Sequence, residues 1–183
     1  MRIDAFLKWL ADTNLATGIR NSLYVFPFLE SIHVLGLALV IGTIAVIDLR
    51  LLGVASSQRP FQRIASDILK WTWAAFALTA LTGLLMFTTN AVVYYHNFYF
   101  RTKMVLLVLA GLNMGVFELT AGRSVRDWDK STATPPVARV VAVLSLTIWV
   151  GMIFMGRLIG FTTSRETAAP PPPPSVNFDD FLK

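Results

Sequence analysis

The sequence predicts an all-α integral membrane protein, a four-helix bundle preceded by an amphipathic helix that lies in the membrane interface. Of its 183 residues, 55% are hydrophobic and only 15% are charged, whereas soluble domains contain about 25% charged residues. Four long apolar runs follow one another along the chain. Each is about as long as a helix needs to cross a hydrocarbon core of roughly 30 Å. The absence of cysteine excludes disulfide scaffolds and thiolate metal sites.

The first element, residues 1–23, is predicted to be an interfacial amphipathic segment. Apolar residues recur there at i, i+3, i+4 and i+7, which places them on one side of a helix. This stripe consists of Ile3, Phe6, Leu7 and Leu10. Trp9 can lie at headgroup depth, and a short helix of this kind belongs in the interface.

Residues 24–161 are predicted to form the transmembrane domain. The four spans are expected at about 24–47, 71–89, 103–121 and 139–160. Run length and the lack of strict alternation exclude transmembrane strands. Glu30 and His33 in the first span argue against a cleavable signal peptide, since the core of such a peptide is purely apolar.

Residues 162–183 are predicted to be an extramembrane tail. Pro170 to Pro174 would form a stiff polyproline II spacer. Phe178, Phe181 and Leu182 follow it among acidic residues, which suggests a short peptide that docks on a partner protein. The alternative is a disordered tail without consequence.

The distribution of Lys and Arg residues indicates the orientation in the membrane. The 16 of them divide equally between the two sides of the predicted bundle. Their density is higher in the loops after spans one and three, so the positive-inside rule places these loops in the cytoplasm. Both termini are then expected in the periplasm.

Polar residues inside the spans are the first candidates for a functional site, because the bilayer penalises them. Glu30, His33, Asn113 and Arg157 are predicted to form one intramembrane polar cluster near one face of the membrane. Arg157 is long enough to reach Glu30, and His33 and Asn113 are expected at nearly equal depth. The cluster would be either a structural network or a cofactor or proton site.

Haem b is the cofactor considered, because helical bundles often hold haem and His33 lies at a suitable depth. The second axial ligand would be His96 or Met152, since His–Met ligation is known chemistry. A di-iron site is not expected, because it needs two Glu-x-x-His motifs and two further glutamates. No other metal site is predicted.

Several motifs resemble a family of small bacterial four-helix membrane proteins of unknown function. They are Ile19–Ser22, Phe26-Pro27, Glu30–Ala38, Asp48–Gly53, Arg101–Lys103 and Gly156–Ile159. The resemblance covers about residues 9–161. It marks six positions as a signature, namely Glu30, His33, Asp48, Arg50, Asn113 and Arg157. We expect Asp48 and Arg50 to form an interfacial ion pair.

The same family is distantly similar to haem-b and copper-resistance membrane proteins, which is an analogy of fold alone. Relatives often carry a histidine near the end of span three, where this chain has Phe117 and Glu118. This difference weakens the haem interpretation.

The function predicted is that of a non-catalytic subunit or accessory protein of the bacterial inner membrane. The expected partners are the lipid bilayer and other membrane or periplasmic subunits. Nucleic acid is not expected, since the net charge of +5 is not clustered on a soluble face. The alternatives are a b-type cytochrome with His33 as axial ligand, and a small transporter or proton conduit that uses Glu30, His33 and Arg157.

Overall fold

The structure is a computed structural model that describes residues 2–55, 60–129 and 134–168. Its helices are α1 (Arg2–Ala11), α2 (Asn14–Asn21), α3 (Val25–Leu51), α4 (Phe61–Thr89), α5 (Ala91–His96), α6 (Phe98–Leu119), α7 (Val125–Trp128) and α8 (Pro136–Ala168). These described ranges contain no strand. Four helices are long and apolar enough to cross a membrane, namely α3, α4, α6 and residues Pro136–Thr163 of α8. The predicted all-α class with four spanning helices is therefore confirmed.

The four long helices alternate in direction. The beginnings of α3 and α6 lie at one end of the bundle together with α5, and we call this the α5 end. The opposite end, with α7 and the beginnings of α4 and α8, is the α7 end. α4 begins at Phe61, well before the apolar run that starts at Trp71, and α6 begins at Phe98. Hydropathy detects only the apolar part of such helices, so the charged first turns of α4 and the aromatic first turn of α6 are not assigned to a span from the sequence.

The N-terminal segment forms two helices where the sequence suggested one. The chain breaks at Thr13, whose Oγ1 accepts a hydrogen bond from the N–H of Ala16 at 3.3 Å and so caps α2. Leu7 of the predicted stripe is buried in the protein, whereas Ile3 and Phe6 are 55% and 58% exposed. The exposed apolar part of α1 is suited to lie in the membrane interface.

The bundle consists of two closely packed helix pairs, α3 with α4 and α6 with α8, and α3 also packs on α8. A central apolar layer contains Val40, Ala75, Trp149 and Met152. A second apolar cluster closes the α7 end. It contains Leu51, Phe61, Ala121, Trp128, Ala138 and Ala142.

Glycine permits the close approach of α3 and α4. A Cβ atom on Gly36 would lie 2.5 Å from Thr79 Oγ1, and one on Gly83 would lie 2.9 Å from His33 Cε1. Small residues allow membrane helices to approach closely and gain dispersion contacts. These two glycines therefore determine how tightly α3 and α4 pack.

Aromatic rings connect α4 to α6 near both ends of the bundle. Phe87 stacks on Phe100 with ring centroids 5.3 Å apart at the α5 end. Phe61 and Phe117 have centroids 5.6 Å apart at the α7 end. Offset and tilted ring pairs of this kind add to the stability gained by burial.

Candidate functional site

His33 on α3 is held by hydrogen bonds to α4. Its Nδ1 atom lies 2.9 Å from the backbone oxygen of Thr79 and 3.1 Å from Thr82 Oγ1, both on α4. A carbonyl oxygen only accepts, so the bond to Thr79 requires a proton on Nδ1. In the neutral ring this leaves Nε2 as the acceptor nitrogen.

Lys103 is a residue that the sequence analysis did not place in the site. It is half-buried on α6, and its Nζ atom is 3.8 Å from the position that a Cβ on Gly156 of α8 would take. Its positive charge is also close enough to act on the His33 ring. His33 and Lys103 therefore form a polar layer across the half of the bundle nearest the α5 end.

The signal that could have revealed Lys103 is Asn97. Its Oδ1 atom accepts a hydrogen bond from the N–H of Phe100 at 3.1 Å and caps α6. Asparagine before an apolar run is a recognised helix start. Starting the helix there places Lys103 more than a turn inside it.

Glu30 and Arg157 do not pair with each other among the described residues. Glu30 is exposed. The pKa of Tyr94 in α5 is raised mainly by burial of its phenol and then by the negative charge of Glu30, so these two groups are near one another. Arg157 is exposed, with Cζ 5.2 Å from the Phe161 ring centroid in a cation–π contact.

Asn113 does not join His33 either. Its Nδ2 atom donates to the backbone oxygen of Val141 at 3.0 Å and connects α6 to α8. α6 begins at Phe98, so Asn113 is about 22 Å along it, whereas His33 is about 12 Å along α3. The four residues that were expected to form one cluster therefore make separate contacts in different parts of the bundle.

Asp48 and Arg50 are both buried near the α7 end of α3, with 4% and 5% exposure. The Asp48 carboxylate is hydrogen-bonded to Ser145 of α8, and its Oδ2 atom has no partner among the described residues. The ion pair expected between Asp48 and Arg50 stays a prediction. Residues two apart on a helix do not face each other, which disfavours a direct contact between their side chains.

The two residues expected as second haem ligands have other contacts. His96 lies on the surface with Nε2 2.9 Å from Asp4 Oδ1, which joins α5 to α1. This hydrogen bond is the main cause that holds the pKa of Asp4 below its ordinary value. Met152 packs in the central apolar layer with Val40 and Trp149. Met152 thus contributes to the packing of the bundle, as methionine in an apolar helix usually does.

Further polar contacts hold the α5 end together. Arg20 Nη1 donates to the backbone oxygens of Thr89 at 2.8 Å and Ala11 at 3.3 Å, which fastens α2 to the ends of α4 and α1. Asn97 Nδ2 donates to Thr162 Oγ1 at 3.0 Å and links the start of α6 to α8. The N-terminal helices are therefore attached to the bundle by specific hydrogen bonds.

The candidate tail residues Phe178, Phe181 and Leu182 lie outside the described residues. The last described helix, α8, continues to Ala168. The last residues of this helix lie at the α5 end, and the sequence becomes polar from Ser164 to Thr167.

Four apolar helices in alternating directions, with few polar side chains between them, define a multi-pass helical membrane protein. The chain belongs to a family of unknown function, DUF6644, whose family model matches residues 6–162. This membership confirms the predicted relation to a family without an established activity. No curated protein and no solved structure matches the chain.

Proposed function

We propose that the protein is a non-catalytic integral membrane subunit or accessory protein. The observation that carries this proposal is the use of intramembrane polar groups as connections between helices. His33 bonds α3 to α4, and Asn113 bonds α6 to α8. Asp48 on α3 bonds to Ser145 on α8. Polar groups used in this way stabilise the bundle.

The central apolar layer supports the same proposal against the proton-conduit alternative. It lies between the polar layer of His33 and Lys103 and the polar pair of Asp48 and Ser145. Its members Val40, Trp149 and Met152 are 1%, 8% and 2% exposed. A closely packed apolar layer does not hold the ordered water that proton transfer would require.

We further propose that the partner binds at the α5 end. The described part of α8 ends at that end with a polar stretch of sequence, and α1 and α2 are attached to the same end. The tail with Phe178, Phe181 and Leu182 would then dock on a subunit at that end. The Lys and Arg distribution favours the periplasmic side of a bacterial inner membrane for this end.

Native gel electrophoresis of protein extracted from its own membrane in a mild detergent tests the proposal. The full chain is compared with a chain that ends at Ala168 and with a full-length variant in which Phe178, Phe181 and Leu182 are serine. We expect a complex heavier than the chain with its detergent, lost in both variants. If all three migrate alike at the mass of the single chain, the accessory-subunit proposal fails.

One observation favours a b-type cytochrome as the second candidate. Donation of the Nδ1 proton of His33 to Thr79 leaves Nε2 for a metal, which is how ligating histidines are usually oriented. An absorption spectrum of the purified protein decides between the two. A Soret band that disappears in His33→Ala would establish the cytochrome, and its absence from the wild type would exclude it.

A further inference from the structure

The carboxylate of Asp48 lies between two apolar regions of the bundle. Ile44, one helical turn before it on α3, packs against the central apolar layer, and Leu51, about one turn after it, belongs to the apolar cluster at the α7 end. Asp48 is buried, and its Oδ2 atom has no hydrogen-bond partner among the described residues. A buried carboxylate must be paired and hydrogen-bonded, because its charge has been removed from water. The surroundings of Oδ2 therefore require a positively charged partner.

Ser145 on α8 brings a hydroxyl group to the same depth. It is hydrogen-bonded to the Asp48 carboxylate and is itself buried. Trp149, one turn after Ser145, is in the central apolar layer, and Ala142, about one turn before it, is in the apolar cluster at the α7 end. Asp48 and Ser145 thus lie at one level, with apolar side chains on both sides along the bundle.

Asn113 on α6 lies at this level too. Ala110, about one turn before it, packs against the central apolar layer, and Phe117, one turn after it, packs against the cluster at the α7 end. Asn113 Nδ2 donates to the backbone oxygen of Val141, the same oxygen that accepts the helical N–H of Ser145. The amide nitrogen is thus used by α8, and Oδ1 is the atom of Asn113 that can serve as an oxygen ligand.

The chemistry of these three side chains favours one class of ligand. Carboxylate, hydroxyl and amide oxygens are hard ligands that suit alkali and alkaline-earth cations. One carboxylate balances one positive charge, so a divalent cation would leave a net charge between the two apolar regions. The described residues contain no group of three His, Cys, Asp or Glu side chains that could hold a transition metal. The ligand that fits is therefore a monovalent cation.

Arg50 is the competing source of positive charge, because it is also buried on α3. It makes contacts of its own. Two residues correspond to a rotation of about 200° around a helix, so Asp48 and Arg50 leave α3 on nearly opposite sides. Asp48 faces Ser145 on α8, and this direction is not the one in which Arg50 leaves the helix. Neutralisation of Asp48 by Arg50 is the arrangement that the experiment has to exclude.

We propose that the oxygen atoms of Asp48, Ser145 and Asn113 bind one monovalent alkali metal ion between the two apolar regions. The ion neutralises the carboxylate and connects α3, α6 and α8 at one level. The site is distant from the α5 end, so it does not depend on whether a partner subunit binds there.

Thermal unfolding of the purified protein in detergent tests the site. Sodium, potassium and choline chloride are compared at equal concentration, because choline is too large to enter. We expect sodium or potassium to raise the Tm of the wild type by about 3 °C or more over choline. Asp48→Asn should lose the whole rise, and Ser145→Ala should need about tenfold more salt for half of it. The matched control is Asp67→Asn, which removes an exposed carboxylate from α4 and should keep the rise.

Equilibrium dialysis with radioactive sodium or rubidium measures binding directly. We expect one ion per chain in the wild type and in Asp67→Asn, and none in Asp48→Asn. If Asp48→Asn does not fold, Ser145→Ala carries the test, and it should bind the ion about tenfold more weakly than the wild type.

Two results would overturn the proposal. The first is an equal Tm of the wild type in all three salts without bound ion, which would assign the charge of Asp48 to a proton or to Arg50. The second is a rise that is as large in Asp48→Asn or Ser145→Ala as in the wild type, which would place the ions elsewhere on the protein.

Discussion

Nδ1 of His33 on α3 lies 2.9 Å from the backbone oxygen of Thr79 on α4. The same nitrogen is 3.1 Å from Thr82 Oγ1, and the ring packs against Gly83. A polar ring that a bilayer would penalise is thus used to join two helices. This contact has consequences for stability that can be measured.

Replacing His33 with alanine should destabilise the bundle by about 1–3 kcal/mol. The variant loses an interhelical hydrogen bond and leaves a cavity beside Gly83. Unfolding of the purified protein in mixed micelles measures the change. Thr43→Ala is the control, because among the described residues the Thr43 hydroxyl bonds only to backbone oxygens of its own helix. Equal losses in the two variants would show that the connection between helices contributes nothing.

Gly36→Ala and Gly42→Ala form a matched pair on α3. The added methyl group at Gly36 would meet Thr79 Oγ1 at 2.5 Å, whereas a methyl group at Gly42 would have no atom of the described residues within 4 Å. We expect Gly36→Ala to cost about 1–3 kcal/mol through overpacking. Gly42→Ala should be neutral or stabilising by up to about 1 kcal/mol, because alanine favours helix. The same unfolding assay distinguishes them, and a neutral Gly36→Ala would contradict the close contact.

Asp129 caps α4 from a distant part of the chain. Its carboxylate accepts hydrogen bonds from the N–H groups of Phe61 and Gln62, the latter at 3.1 Å. Asp129→Ala should therefore cost about 1 kcal/mol, while Asp129→Asn should retain most of the capping. Hydrogen exchange at the start of α4 reports the effect locally. Asp67→Ala, at an exposed position of the same helix, should leave this exchange unchanged.

The phenol of Tyr94 should titrate above its ordinary pKa of 10.0, because burial and then the charge of Glu30 disfavour the phenolate. Since the unfolded chain releases this proton at lower pH than the folded chain, stability should fall as pH rises through about 10. Ultraviolet titration of the wild type against Tyr94→Phe isolates the group. Glu30→Gln should lower the pKa of Tyr94 only in part, since burial remains. A titration unchanged by Glu30→Gln would refute the electrostatic contribution.

The sequence by itself determined that the chain is a four-helix membrane protein. Helix length and apolar content set the free energy of crossing a bilayer, and both are local properties. The motifs from Ile19 to Gly53 were also sufficient to relate the chain to a family of unknown function. An apolar run without any ionisable residue, such as Trp71–Thr89, needs no tertiary information to be recognised.

Only the tertiary structure decided which polar groups meet. Because α6 begins at Phe98, Asn113 lies where it can bond to the backbone of Val141. The same helix start places Lys103 inside the bundle, where its charge acts on His33. Contacts of this kind depend on where each helix begins and how it is rotated against its neighbours. One residue of difference turns a helix by about 100°, so local sequence patterns cannot determine them.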